Sequence, residues 1–333
     1  MTIAKSGYIV DLRGGANGTL EAQNALQRVD NSRTFHVANN LRPALGIYNV
    51  STSRVFQKVE DVSERIEALL ASYQGGESAR PPLDRSKLER SLIDYIELLF
   101  YAAADHVDDL MLICDHFYAS PSAAKRDRAH RKFRDELKQH KRFVSAVANH
   151  IKHSQHRIRL YHAEFVHAGH AGVMCGYVVE GVENGVVGPS PVFHSSHHSV
   201  FSAAALPWQV IIFVLSCSRS LNEFLKSKVA AGDTGSEGYK QMIDAIIATA
   251  RLPFYTMDED DYMQMSAFSL GWDKAVASMA SSGLYGSLAN EWEHANNIQF
   301  GRHGASFAGD GITRTFKMLI SPSKVTLRRV NKI

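Results

Sequence analysis

Apolar residues at Val55, Val59, Val62, Ile66 and Leu69 recur at the 4-3-4-3 spacing of one helical face. That spacing predicts a helix opened by the capping residues Ser51-Thr52-Ser53 and closed at Gly75-Gly76. A polar connector, Gln74 to Pro82, separates it from a second expected helix that starts at Asp84. Leu88, Leu92, Ile96, Leu99, Ala103, Val107 and Leu110 line one side of this helix, and Ser120-Pro121 ends it. A third helix, from Ala123 to about His156, places Phe133, Leu137, His140, Val144, Val147 and Ile151 within about 40° of a common line at 100° per residue. Three amphipathic helices with short connections predict an antiparallel bundle.

On either side the period differs. Short runs at Tyr8–Leu12, Thr34–Val37 and Leu45–Val50, separated by Gly- and Asn-rich turns, predict strands. After the bundle, Arg157–Phe165 and Gly172–Val182 have strand composition, and Asn184-Gly185 is a two-residue hairpin signal. Ser202–Lys228 predicts a buried helix, Ser236–Ala250 an amphipathic one, and Ile312–Ile320 with Val325–Val330 a closing hairpin around Ser321-Pro322-Ser323-Lys324. The expected fold class is α+β, predominantly α: a helical bundle with small β elements. Its divisions are an N-terminal β element over 1–50, the bundle over 51–156 and a mixed α/β half over 157–333.

Composition narrows the class. The chain has 333 residues, 45% hydrophobic and 21% charged, which excludes a disordered, collagen-like or coiled-coil protein. Cys114, Cys175 and Cys217 include no C-x-x-C pair, so neither a cysteine zinc module nor a disulfide framework is expected, and a reducing, cytoplasmic setting fits. The start of the sequence lacks the apolar run of a signal peptide. Ala203–Cys217, the most apolar stretch, is shorter than the roughly 20 residues that cross a bilayer, so no membrane association is expected. No P-loop occurs in Gly301–Gly311, and no strand–G-x-G-x-x-G–helix context or G-x-S-x-G elbow is present elsewhere, so no cofactor is expected.

Charge is where the sequence departs from the ordinary. Between Lys125 and Arg159 twelve cations face three acids, a net +9 in a chain whose total is +3, leaving −6 for the remainder. On the third helix, opposite its apolar stripe, Arg131, Lys138, Arg142, Asn149, His153 and His156 share one line, with Lys152 in the same basic window. Such a line suits a phosphate backbone, because Lys and Arg release condensed counterions and imidazole exchanges protons near pH 7. The second helix carries an acidic line, Asp94, Glu97, Tyr101, Asp105 and Asp108. It reads as a solvated or salt-bridged face, or as a source of one carboxylate, Asp105 or Asp108, that orients a histidine across the bundle. Nine of the 16 histidines fall between His150 and His198, and His150, His153 and His156 recur every three residues. Helical metal pairs are usually spaced four apart and no carboxylate accompanies these three, so no metal ligand is assigned.

Two segments carry a resemblance. Ala148-Asn149-His150-Ile151-Lys152-His153 resembles the Asn-x-Ile-x-His core of the HEPN superfamily of helical nucleotide-binding and ribonuclease domains, and Arg134-Asp135-Glu136-Leu137-Lys138-Gln139-His140 resembles its Arg-polar-x4-His signature. The resemblance covers residues 84–156. It implies that Arg134, His140, Asn149 and His153 are catalytic, with the arginine and histidine of two protomers meeting in a homodimer groove to cleave RNA without metal, as in a toxin or antiviral defence component. A histidine would take the 2′-hydroxyl proton while an arginine stabilises the charged phosphorane. The leading expectation is an RNA-binding or metal-independent RNA-cleaving protein. The alternative is a noncatalytic scaffold subunit whose basic helix docks an acidic protein partner or nucleic acid, and a histidine-ligated metalloenzyme is a third reading.

Overall fold

The computed structural model describes residues 6–11, 20–29, 40–74, 82–154, 156–167, 170–183, 185–194, 200–230 and 240–252, together with the backbone of strands at 255–256, 265–271, 274–279, 293–294, 299–306, 315–316 and 326–327. Its helices are α1 (Glu21–Leu26), α2 (Ala44–Gln74), α3 (Pro82–Asp115), α4 (Pro121–Arg126), α5 (Arg128–Ser154), α6 (Leu206–Leu225) and α7 (Lys240–Ala250). The fold is predominantly α with small β elements.

The helix expected from residue 51 begins at Ala44, so Leu45–Val50 is helical and not the strand expected there. Ile47 and Tyr48 precede Val55 by eight and seven residues and are buried with it, so the apolar stripe simply extends one stretch earlier. Thr52 therefore does not cap. Its Oγ1 donates to the Tyr48 carbonyl at 2.8 Å, four residues back within the helix. The supposed N-terminal β element also contains α1, and Thr34–Val37 lies outside the described residues. Only β1 (Ser6–Asp11) forms as expected in this region.

Similarly, the third helix is two. Asp127 has extended backbone (ψ 130) and separates α4 from α5. Its Oδ1 then accepts from the backbone N–H groups of Ala129 at 2.7 Å and His130 at 3.2 Å, which satisfies donors that the start of α5 would otherwise leave open.

Burial then settles how the parts combine. In α6 nearly every residue from Leu206 to Leu225 is buried, because α1, α2, α3, α5 and α7 all pack on it. A continuous apolar core runs from Leu20 to Leu252, so the boundary expected at 156 does not divide two cores. No described helix is long and apolar enough to cross a membrane.

Against α2 and α3 lies the main sheet, β2 (Ile158–His167), β3 (His170–Glu183) and β4 (Val186–Pro189), antiparallel throughout, extended by β10 (Gln299–Ser306) beyond β2 and joined by β5 (Phe201–Ser202), which pairs with β3. The β3–β4 turn uses Gly185 at φ 75, a backbone conformation that costs glycine little, as the Asn184-Gly185 signal predicts. The closing hairpin does not form among the described residues. β11 (Thr315–Phe316) pairs with β10, while β12 (Thr326–Leu327) lies between β6 (Tyr255–Thr256) and β9 (Glu293–His294), so the two expected partners belong to different sheets. β7 (Met265–Gly271) and β8 (Lys274–Met279) pair with each other, and β8 also pairs with β1.

The sheet makes one sharp stability prediction. A Cβ added at Gly181 would stand 2.7 Å from the Cα of Ser190, a backbone atom fixed by the Ser190 N–H bond to the Val179 carbonyl. Gly181→Ala is expected to lower stability by about 1–3 kcal/mol through overpacking, read from the urea midpoint. An unchanged midpoint would show that β3 and the segment after β4 separate easily.

Candidate nucleic-acid interface

The basic helix is built from its cap outward. Lys228, just past α6, places Nζ 2.6 Å from Asp127 Oδ2. This hydrogen bond, with those from the His130 and Ala129 N–H groups, holds the Asp127 carboxyl down to about 2. The start of α5 is thereby tied to the end of the central helix. Phe133, Leu137, Val144, Val147 and Ile151 are buried, which turns the other face outward.

On that outer face Arg131, Lys138, Arg142, Asn149, Lys152 and His153 are exposed. Arg131, Lys138, Arg142, Asn149 and His153 fall within about 60° of one another at 100° per residue. Two weak pairs occur on the helix, Lys138–Asp135 at 3.6 Å and Lys132–Glu136 at 3.8 Å, both exposed enough to contribute little. Among the described residues Arg131, Arg142 and Lys152 form no ion pair within 4.0 Å. The cations past the helix behave differently. Arg157 pairs with Glu97 at 3.1 Å and Asp94 at 3.8 Å, and Arg159 pairs with Glu180 at 2.6 Å. The acidic line of α3 thus neutralises Arg157 and leaves the exposed line of α5 alone. Asp105 is 3.2 Å from Arg54, so it holds α2 to α3 and orients no histidine.

Beside this line, between α3 and α5, opens a cleft of about 340 Å³. Buried Val107, Ala124 and Leu137 form its floor; Lys125, Arg134, Lys138 and Lys141 stand around it. His130 and Asp115 complete the lining, with His130 Nε2 3.1 Å from Asp115 Oδ1. An ionised carboxylate only accepts, so Nε2 carries the hydrogen of that bond. Nδ1 is buried and has no hydrogen-bond partner. The Tyr118 ring stands edge-on to the imidazole, centroids 5.3 Å apart.

The four residues singled out by the resemblance do not converge within the chain. Arg134 faces the cleft, whereas His140 lies about 120° around the helix and directs Nε2 toward Ser220 Oγ of α6 at 3.3 Å. Burial lowers the His140 pKa, with only Glu136 opposing, so this imidazole is neutral at pH 7. Asn149 and His153 are exposed on a third side. His156, expected in the basic line, instead turns its Nδ1 to His150 Nε2 at 2.5 Å, and His150 also meets the Glu180 carbonyl at 3.1 Å. Burial and its histidine neighbour lower the His150 pKa.

Sequence reasoning missed Asp115 and His130. They are 15 positions apart with a helix break between them, so no spacing rule joins them. The available signal was that His130 precedes Arg134 by four, which puts both on one side of α5. Ser51 and His106 also meet, Oγ to Nδ1 at 2.8 Å, but both are shut in the core and reach no solvent. Among the described residues no group of three or more His, Cys, Asp or Glu is placed to hold a metal ion. Comparison with family models, curated proteins and solved structures returned no match to the chain.

Proposed function

We propose that the protein binds single-stranded RNA along the exposed face of α5. One observation carries this reading: Arg131, Arg142 and Lys152 stand in solvent without an ion pair among the described residues, while Arg157 and Arg159, close by in sequence, are neutralised. An uncompensated row of cations is an electrostatic footprint for a polyanion. Asn149 and His153 extend the row with groups that hydrogen-bond sugars and bases. Cleavage in the manner of the HEPN resemblance would need Arg134 and His140 to be completed by a second protomer, since about 120° of helix separates them in one. Binding is therefore favoured over cleavage.

The test is retention of labelled single-stranded RNA on a filter at increasing salt, in EDTA. Wild type is expected to bind, with affinity falling by a log–log slope of about −0.7 per phosphate contact. Arg131→Glu, Lys138→Glu and Arg142→Glu combined are expected to weaken binding by at least about tenfold, because three attractions become repulsions. Undiminished retention by the triple variant, or none by wild type, removes the reading and leaves the face to an acidic protein partner. RNA shortened by wild type but not by His140→Ala or His153→Ala would restore the nuclease reading.

A further inference from the structure

A backbone-binding row needs no cleft, yet α5 has one beside it. The cleft against α3 sets Lys125, Arg134, Lys138 and Lys141 around an apolar floor, with Asp115 as its one lining carboxylate. Asp115 is already engaged by His130 at 3.1 Å. The cation excess therefore has no internal counterpart of matching size, and at about 340 Å³ the space exceeds what a bare phosphate fills. Lys138 belongs to both the cleft and the exposed row, so a strand lying on the row can turn its end into the cleft without crossing α5.

Resting on the RNA reading, we propose that this cleft receives a phosphomonoester: the terminal phosphate of the RNA strand, its sugar set against Val107 and Leu137. A terminal monoester suits the site better than an internal diester because of its charge. It carries up to two negative charges against one, which answers a cluster of four cations. A diester passing along the row meets single cations in turn and lacks the second charge.

The experiment compares a ten-nucleotide RNA carrying a 5′-phosphate, a 3′-phosphate or neither, by fluorescence anisotropy, with adenosine 5′-monophosphate and adenosine measured separately by ligand-observed NMR. One phosphorylated end is expected to tighten binding about tenfold, and Arg134→Gln with Lys141→Gln to erase that difference. Both side chains lie at the protein surface, and circular dichroism and the urea midpoint confirm that the variant is folded. Adenosine monophosphate, but not adenosine, is expected to bind wild type and not the double variant. Monophosphate binding without any end preference assigns the same pocket to a free monoester and removes the strand end. Equal affinity of all three RNAs together with no monophosphate binding overturns the site, while the RNA reading stands. If no RNA binds at all, the RNA reading fails and the monophosphate result alone decides the cleft.

Discussion

Acidification from pH 7 to 4.5 is expected to withdraw on the order of 5 kcal/mol of folding stability through two histidines, His106 and His162. His106 is completely enclosed, and burial, reinforced by the Arg54 guanidinium, lowers its pKa to about 3. His162 on β2 is lowered to about 4 by burial, with Arg85 adding to the effect. In the unfolded chain both titrate near 6.5. Below that value the unfolded chain takes up protons that the folded one refuses. The histidine contribution is thus complete above pH 6.5 and lost as pH falls toward 4 and then 3. Glu60, Glu89 and Asp109 act in the opposite sense, since burial raises their pKa values and the folded chain protonates them first. Comparison with a variant isolates the histidine share. His106→Asn keeps a partner for Ser51 but cannot titrate, so its stability, measured by urea unfolding from pH 7 to 4.5, should fall by about 1.4 kcal/mol less per pH unit than that of wild type. Parallel slopes for the two proteins would contradict the assignment.

Glu180→Ala should cost about 3–5 kcal/mol, more than an ordinary surface substitution. Glu180 is 5% exposed and accepts three hydrogen bonds: the Arg157 N–H at 2.9 Å onto Oε2, and Arg159 Nε at 2.7 Å and Nη2 at 2.6 Å onto Oε1. Truncation removes the carboxylate that the largely enclosed Arg159 guanidinium meets and leaves one backbone donor open. Arg157 keeps Glu97, which limits the damage to one side of the arrangement. Glu180→Gln, which can still accept but carries no charge, should fall between the two. Equal stability of the alanine variant and wild type in thermal unfolding would show that water replaces the carboxylate without cost.

What periodicity could reach, it reached. The faces of α2, α3 and α5 follow from apolar spacing, and β2, β3 and the Gly185 turn that follows β3 come from composition and backbone preference. The failures arise where packing and side-chain bonding, and not the spacing within one segment, decide the outcome. Leu45–Val50 reads as a strand because it is short and apolar, and it is helical because Ile47 and Tyr48 extend the stripe of a longer helix. Ser51 and Thr52 read as caps and serve as core residues, one held by His106 and the other by its own helix. At the site, the cations of α5 were legible because charge is counted along the chain. The Asp115–His130 pair was not, because it forms across a helix break. His156 was placed in the exposed row by angle alone, but the chain leaves the helix at Ser154 and the ring folds back on His150.

The packing of α1 on α6 sets the order of events during synthesis. Ala22 donates its N–H to Ser218 Oγ at 3.1 Å, and Tyr48 donates its hydroxyl to the same oxygen at 2.8 Å, across 196 and 170 residues of chain. Until α6 has emerged from the ribosome, α1 lacks the helix it packs on most, and among the helices α2 can close only against α1 and α3. Most of the polypeptide must therefore be made before the interior can seal, and until then the faces of α1, α2 and α3 that meet α6 stay open to chaperones.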